Sequence, residues 1–565
     1  MAVRQRSWFT PIALAAILFL ALAVRVAWAL QPRSIRWDEP DYLLLARSLL
    51  RGSGYRLNNL PELHTPPLGP YLAALAVKLG APLDAGMLVW HVVAGAVLVG
   101  VLYGLTRDLT GRRGLGLLTA LLAAMSSALA VQPLYWGSMT ESLFMAWLFA
   151  GLWAAWRALG GEDWKPYALA GLAFGFSYLT RPEGLIWWAW FAFILAGVTL
   201  YKGRYWRPMA LYLALFLTLA LPYLIYLYQH TGHIILSGKT GLTAAMSVQI
   251  VEEGNALGND YGSLLDSTGE EILWFSPERF EISMLGVIRS DPAGALRRIL
   301  VNVRKAAQAM IHPLLGPVLA GLAAFGLWAR PWSKARILSE LFLLAALLPL
   351  GVVPLFHAQP RLLVPWVPIA LIWAARGLDV VMRWAGETLA PWPKLKPWGS
   401  CGRGASSAIL IVGLNNLLGF LWAGVILLAV VGMMGKNQVA AAQAGQRTYS
   451  FSHNQAARWL AENAEPDAVI MTRNAEIGVY ADRAVIPLPN AHWPQILAYG
   501  RARHGRYLVI DDWEMRTVRP QLQFLSDPAT APPEVRFLIS FTDPNRTTFI
   551  YTLLQKRSHA KAQSR

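Results

Sequence analysis

Residues 36–42, Arg36-Trp-Asp-Glu-Pro-Asp-Tyr42, set Asp38 and Glu39 just beyond an apolar run covering about residues 12–30. Carboxylates at a membrane edge are costly to desolvate, and those that occur there usually have a function. The rest of the chain argues for the membrane: of 565 residues only 15% are charged and 25 are Trp, and the mean hydropathy is +0.39.

A spanning helix needs roughly 20 mostly apolar residues. Such segments fall near 12–30, 87–106, 115–133, 139–158, 166–180, 185–200, 210–228, 311–328, 337–356, 362–378 and 408–433. They predict a polytopic α-helical membrane protein with about eleven transmembrane helices. The first run, preceded by Arg4 and Arg6 and ending in Ala27-Trp-Ala29, resembles a signal peptide. It is longer than the usual apolar core of one, so a retained helix is expected.

Cytoplasmic loops carry the excess of Lys and Arg. With Arg4 and Arg6 inside, every second connection is basic: Arg107, Arg112 and Arg113; Arg157 and Lys165; Lys202, Arg204 and Arg207; Arg330, Lys334 and Arg336; Arg383, Lys394, Lys396 and Arg403. This count puts the loops at about 31–86, 132–140 and 229–309, and everything after about 435, on the external side. The expectation is a multi-pass protein of a bacterial-type inner or plasma membrane, with a cytoplasmic N-terminus, a membrane module over 1–433 and an extracytoplasmic domain over 434–565. The +17 net charge is thereby topological; no basic helix or stacking platform gathers it, which argues against nucleic acid. A single cysteine, Cys401, excludes a disulfide frame or a thiolate cluster. The run 390–398, rich in Pro and Lys, reads as a mechanical connector.

The tail is another kind of sequence. An amphipathic helix over 452–464, strands at 468–471, 484–486, 507–510, 535–539 and 549–553, and helical stretches near 493–503 and 518–525 predict a small α/β domain. Its acids Glu476, Asp482, Asp511 and Asp512 have no catalytic spacing, and a structural or recognition role is expected.

After Asp38 the chain reads as a surface helix over 42–50, a Gly-rich break at 52–54, and His64-Thr-Pro-Pro-Leu-Gly-Pro-Tyr71 leading into a short apolar stretch to Gly80. Two interfacial helices beside an acid pair would wall a cavity at headgroup level, where a carboxylate takes a proton from a hydroxyl or amine. Asp38 reads equally as the cap of a helix starting at Pro40. A second acid, Glu141, ends the next external loop, where Thr140 or Ser138 would cap and Glu141 would sit in the first turn. Arg25 near the outer end of the first span, Arg181 and Glu183 in Leu179-Thr-Arg-Pro-Glu-Gly184, and His357 and Arg361 in Phe356-His-Ala-Gln-Pro-Arg361 fall on the same side. Guanidinium forks match phosphate oxygens, so a phosphate-bearing substrate is expected. Ser237-Gly-Lys-Thr240 lacks the remainder of a phosphate loop, and Lys239 is a candidate contact to lipid phosphate or sugar beside a plainer reading as a solvated lysine.

In this order the features resemble the GT-C superfamily of integral membrane glycosyltransferases, in the branch of the protein O-mannosyltransferases and the aminoarabinose transferase of lipid A. The carrying residues are Asp38-Glu39 with Tyr42 and Ala46, His64-Thr-Pro-Pro-Leu68, Glu141, the 179–184 turn and Arg361. The resemblance implies transfer of a sugar from a polyprenyl-phosphate carrier to a protein, lipid or glycan acceptor on the external face, with inversion. Asp38 would be the general base, and Glu39 and Glu141 would bind sugar or acceptor. Arg181, Arg361 and Arg25 would stabilise the departing phosphate, with Tyr42, His64, Glu183, Lys239 and His357 as further candidate substrate contacts. The inserted β-trefoil of the protein mannosyltransferases has no counterpart in 229–309.

No cofactor is expected. Asp38, Glu39, Glu141 and His64 are possible ligands for a divalent ion, but no tight metal spacing occurs. Neither a dinucleotide motif nor an Asp-x-Asp on a cytoplasmic strand points to a nucleotide sugar. A secondary transporter, or a noncatalytic lipid-binding or envelope-assembly protein, is the alternative; external acids with a folded tail fit a transporter less well than internal repeats would.

Overall fold

The computed structural model describes residues 9–137, 139–161, 163–388 and 405–554. Arg4, Arg6, Ser138, the 390–398 connector with Lys394 and Lys396, Cys401 and Arg403 lie outside the described residues.

The chain opens with α1 (Phe9–Ala29), then α2 (Glu39–Leu50), a hairpin of β1 (Arg56–Leu57) and β2 (Leu60–Pro61), and α3 (Leu68–Lys78). The two short helices stand where the sequence places them. The bundle continues through α4 (Gly86–Thr110), α5 (Arg113–Met125), α6 (Glu141–Gly160), α7 (Trp164–Thr180), α8 (Gly184–Lys202) and α9 (Trp206–Thr231). After α10 (Thr240–Glu252) and a long irregular stretch come α11 (Pro292–Ala309), α12 (Pro317–Trp328), α13 (Lys334–Leu347), α14 (Trp366–Thr388) and α15 (Ala405–Gln446).

Among the described residues, seven helical stretches are long and apolar enough to cross a membrane. An eighth forms if Pro292–Leu315 and Pro317–Trp328, bent by 107°, count as one broken span. The other four of the eleven expected runs, 115–133, 166–180, 311–328 and 362–378, also contain helix but are shorter, bent or more charged. Extended backbone at Ser126 ends α5 after 13 residues; α7 has 17; and α14 carries Arg376, Asp379 and Arg383. Gly316, at φ +80°, breaks the stretch read as one span over 311–328. The main core runs through the bundle, with Leu98, Phe149, Phe174 and Leu371 among its buried residues.

The last helix does not stop at residue 433 but runs to Gln446. It leads into α16 (Phe451–Asn463), β3 (Val469–Thr472), α17 (Glu476–Ala481), β4 (Ala484–Pro487), α18 (Trp493–Ala502), β5 (Gly505–Asp511), α19 (Asp512–Thr517), β6 (Val535–Thr542) and β7 (Thr547–Leu553). The sheet order is β4-β3-β5-β7-β6. Strand β3 is parallel to both neighbours, and β7 is antiparallel to β5 and β6.

This α/β domain grips the membrane module at two places. On α17, Val479 and Tyr480 pack with Tyr42, Leu43 and Ala46 of α2, and Asp482 pairs with Arg47 at 2.9 Å and Arg51 at 2.8 Å. Within the 229–309 loop, Asp260 is buried and receives Arg473 at 3.0 Å, Arg519 at 3.1 Å and the Asn490 amide at 3.0 Å. Ile272 of the same loop joins the core of the sheet domain.

Inside the sheet domain, the buried His453 ring bridges Glu476 at 2.9 Å and Asp511 at 3.0 Å. Burial alone would lower the imidazole, but the bonds to Asp511 and Glu476 outweigh it and raise it from 6.5 to about 9. The folded state thus holds a proton that the unfolded chain releases above 6.5. This stabilisation is complete below pH 6.5 and is lost as pH rises through about 9. At about 1.4 kcal/mol per pH unit it amounts to about 3 kcal/mol. Protection factors of β3 and β5 amides in the full-length protein, corrected for the intrinsic base-catalysed exchange rate, are expected to fall over that window, and His453→Gln should remove that fall.

Candidate active site

Two external loops are locked together at the start of α2. Trp37 has a left-handed backbone, φ +58°, and rests against Gly137, where a Cβ would meet its ring at 2.5 Å. The Glu39 N–H donates to the Gly137 carbonyl at 2.7 Å. Only glycine allows this approach, since Gly137 is itself at φ +79°. Arg36 donates to the Tyr135 carbonyl at 2.8 Å and also meets Thr448, tying the same corner to the chain beyond α15.

Asp38 immediately precedes α2, yet its side chain makes no capping bond. Its Oδ2 instead accepts from Arg361 Nη1 at 3.2 Å, and 41% of the side chain is accessible. Burial works to raise this carboxyl, but the charges of Arg361, Lys239 and Arg181 outweigh it and hold it below its ordinary value. Asp38 is therefore ionised, reachable and faced by cations from three separate parts of the chain.

Arg181 closes α7 and pairs with Glu183 at 3.0 Å and Glu141 at 3.3 Å. Burial opposes its charge, but Glu183 and Glu141 hold the guanidinium above its ordinary value. Glu183 is lowered in turn: burial would raise it, and Arg181 prevails. Arg361 is steadied by the Gln359 side chain at 3.1 Å. His357 shares a 3.3 Å hydrogen bond with Ser247; burial, with Arg361 and Lys305 nearby, pushes its imidazole down to about 4, so it is neutral.

Lys239 reaches this group through a close backbone contact. A Cβ on Gly238 would lie 2.1 Å from the Leu63 carbonyl, so only glycine lets the 237–240 turn lie on the His64 segment. Among the described residues Lys239 makes no ion pair, which leaves its ammonium available to a ligand. His64 meets the Trp274 ring edge-on at 4.4 Å, and burial, with Lys239 and Arg279 beside it, lowers its imidazole well below the ordinary value. Tyr42 is buried below Asp38, against Gly69.

Two candidates stand apart. Glu39 is fully buried, and both its oxygens are taken by Arg33, at 2.7 and 2.8 Å. This bidentate pair ties the start of α2 to the 31–38 segment. Arg25 is enclosed in the bundle and donates to the carbonyls of Ala21 at 3.0 Å and Leu129 at 3.3 Å, and its side chain packs on Gly95. It braces α1 against the residues after α5 and does not meet Asp38.

Sequence reading missed Asp41 and Glu62. Asp41 lies one helical turn after Asp38, and burial, with Glu62 and Asp38 nearby, raises its carboxyl well above the ordinary value. Two acids one helical turn apart are thus shifted in opposite directions, Asp38 down and Asp41 up, the pattern by which active sites separate the roles of paired acids. The i, i+3 spacing of Asp38 and Asp41 was the available signal. Glu62 accepts the N–H groups of His64 and Thr65, both at 2.6 Å, shaping the turn into α3. Among the described residues no group of three His, Cys, Asp or Glu converges as a metal site.

Residues 64–253 match the dolichyl-phosphate-mannose-protein mannosyltransferase family. The fold is shared with ArnT from Cupriavidus metallidurans bound to undecaprenyl phosphate, at TM-score 0.54 and 14% identity, over 96% of this chain and 97% of that one. It is also shared with the apo oligosaccharyltransferase of Archaeoglobus fulgidus, at TM-score 0.53 and 15% identity, over 98% and 75%. No curated protein matches the sequence. The fold of these two structures thus extends over nearly the whole chain, while the family match covers its residues 64–253.

Proposed function

We propose that the protein transfers a sugar from a polyprenyl-phosphate carrier to an acceptor on the external face of the membrane, inverting the anomeric carbon. The observation that carries this reading is Asp38: ionised, accessible, and set among Arg361, Arg181 and Lys239. In the reaction the Asp38 carboxylate takes the proton of the acceptor hydroxyl or amine as that group bonds to the anomeric carbon. The bond from that carbon to the phosphate oxygen breaks, and the lipid phosphate leaves with the electron pair. Arg361 and Lys239 stabilise the charge growing on it, which is the electrostatic part of the acceleration. Arg181, already shared by two carboxylates, holds Glu141 and Glu183 toward the sugar.

Asp38 serves as base without a resident metal in this reading, because its field is already supplied by protein cations. Transfer is expected to persist in the presence of a chelator, and loss of activity on chelation, restored by a divalent ion, would overturn that part.

The test is transfer by purified full-length protein in liposomes, offered a panel of radiolabelled undecaprenyl-phosphate sugars with cell-envelope acceptors. Transfer from one donor with release of undecaprenyl phosphate is expected. Transport of a solute across the same liposomes without transfer would sink the proposal.

A further inference from the structure

At the end of the bundle opposite Asp38, the C-termini of α4 and α6 and the N-termini of α5 and α13 surround a cavity of about 550 Å³. Its walls combine Arg107, Arg113 and Arg157 with Trp156 and Leu338. Among the described lining residues there is one carboxylate, Asp108. Asp108 accepts from Arg107 at 2.7 Å, from Arg157 at 2.9 Å and from the Trp153 indole at 2.8 Å. Arg113 makes no ion pair among the described residues, and half of the Arg157 side chain remains accessible.

From the rim of this cavity an apolar track leads away along α13. Leu338, Leu341, Leu344 and Leu348 are each about half exposed, at 57%, 58%, 46% and 61%. They recur at intervals of three or four residues and so lie on one face of the helix. An open pocket that sets three guanidinium groups on a largely apolar wall, leading onto an apolar helix face at the level where four helices end, has the two-part chemistry of a phospholipid. Guanidinium forks take the phosphate oxygens, and the leucine face takes an acyl chain. Basic pockets between spanning helices hold anionic headgroups in this way.

We infer that this cavity is a binding site for an anionic phospholipid, with its phosphodiester between Arg113, Arg157 and Arg107 and one acyl chain along α13. A free phosphate would use the arginines and leave the leucine face idle. The site is independent of the Asp38 chemistry and would persist if that reading failed.

Native mass spectrometry of the full-length protein in detergent tests it, with phosphatidylglycerol, phosphatidylcholine and glycerol 3-phosphate as separate probes. Phosphatidylglycerol should be retained at least tenfold more tightly than either of the others. The exposed pair Arg113→Gln and Arg157→Gln should lower its retention at least tenfold with the melting temperature unchanged, and Arg207→Gln, which also lies at the end of the bundle remote from Asp38, should have no effect. Arg113→Gln alone keeps the Asp108 network intact and serves as the second variant if the pair fails to fold. Equal retention by wild type and variant, or by phosphatidylcholine and phosphatidylglycerol, would overturn the site. Glycerol 3-phosphate held as tightly as the lipid would reduce it to a phosphate site and overturn the assignment to a phospholipid.

Discussion

Replacing Asp38 with asparagine is expected to lower the rate of sugar transfer by about 10²–10⁴-fold, the usual contribution of a positioned general base, with little change in donor KM. Asparagine preserves the shape of the side chain and can still accept from Arg361, so folding should survive. The pH profile gives a sharper test than the loss itself. Because Arg361, Lys239 and Arg181 hold the Asp38 carboxyl below its ordinary 3.8, the base form persists as the medium is acidified, and the acid limb of kcat/KM should lie below the ordinary carboxylate range. In Arg361→Gln, the nearest of these charges is gone while burial still opposes ionisation, so the limb should move upward. An acid limb in the same place for wild type and Arg361→Gln would remove Asp38 from the role of base.

Arg519→Met is expected to destabilise the sheet domain by about 3–5 kcal/mol, the range for breaking a buried ion pair from one side. Arg519 is wholly buried. It reaches Asp260 at 3.1 Å and Glu514 at 3.0 Å, both acids being 1% exposed, and donates to the Leu488 carbonyl at 2.7 Å. Glu514 is already raised to about 7, by burial first and then by Asp511 and Asp260 against the pull of Arg519. Without Arg519 its ionised form has even less support. The deficit should therefore shrink as pH falls and Glu514 takes up a proton. Proteolysis of the tail in full-length protein at pH 5 and pH 8 reads both effects, and equal resistance of wild type and variant at pH 8 would show that the pair carries no stability.

Much of this was legible in the residues, because hydropathy and local pattern decide it. The apolar runs became helices, the two short helices after Asp38 formed, beginning at Glu39 and Leu68, and each strand of the tail lies within a few residues of its expected position. The breaks within two expected spans were not legible, because the extended conformation at Ser126 and the bend at Gly316 leave hydropathy unchanged. Glu39 illustrates a second limit. Next to Asp38 in sequence, it is captured by Arg33, a residue that reads only as loop. Lys239 and Arg361 stand more than 190 residues from Asp38, and only tertiary packing decides which of several external cations arrive beside it.

The double hold of the sheet domain also sets what can be moved between relatives. Exchanging residues 451–554 alone would confront Asp260 with a foreign surface and strand Ile272 outside its core. The transplantable unit is the tail together with residues 255–280, and chimeras cut at the end of the last span alone should misassemble even when each half is sound.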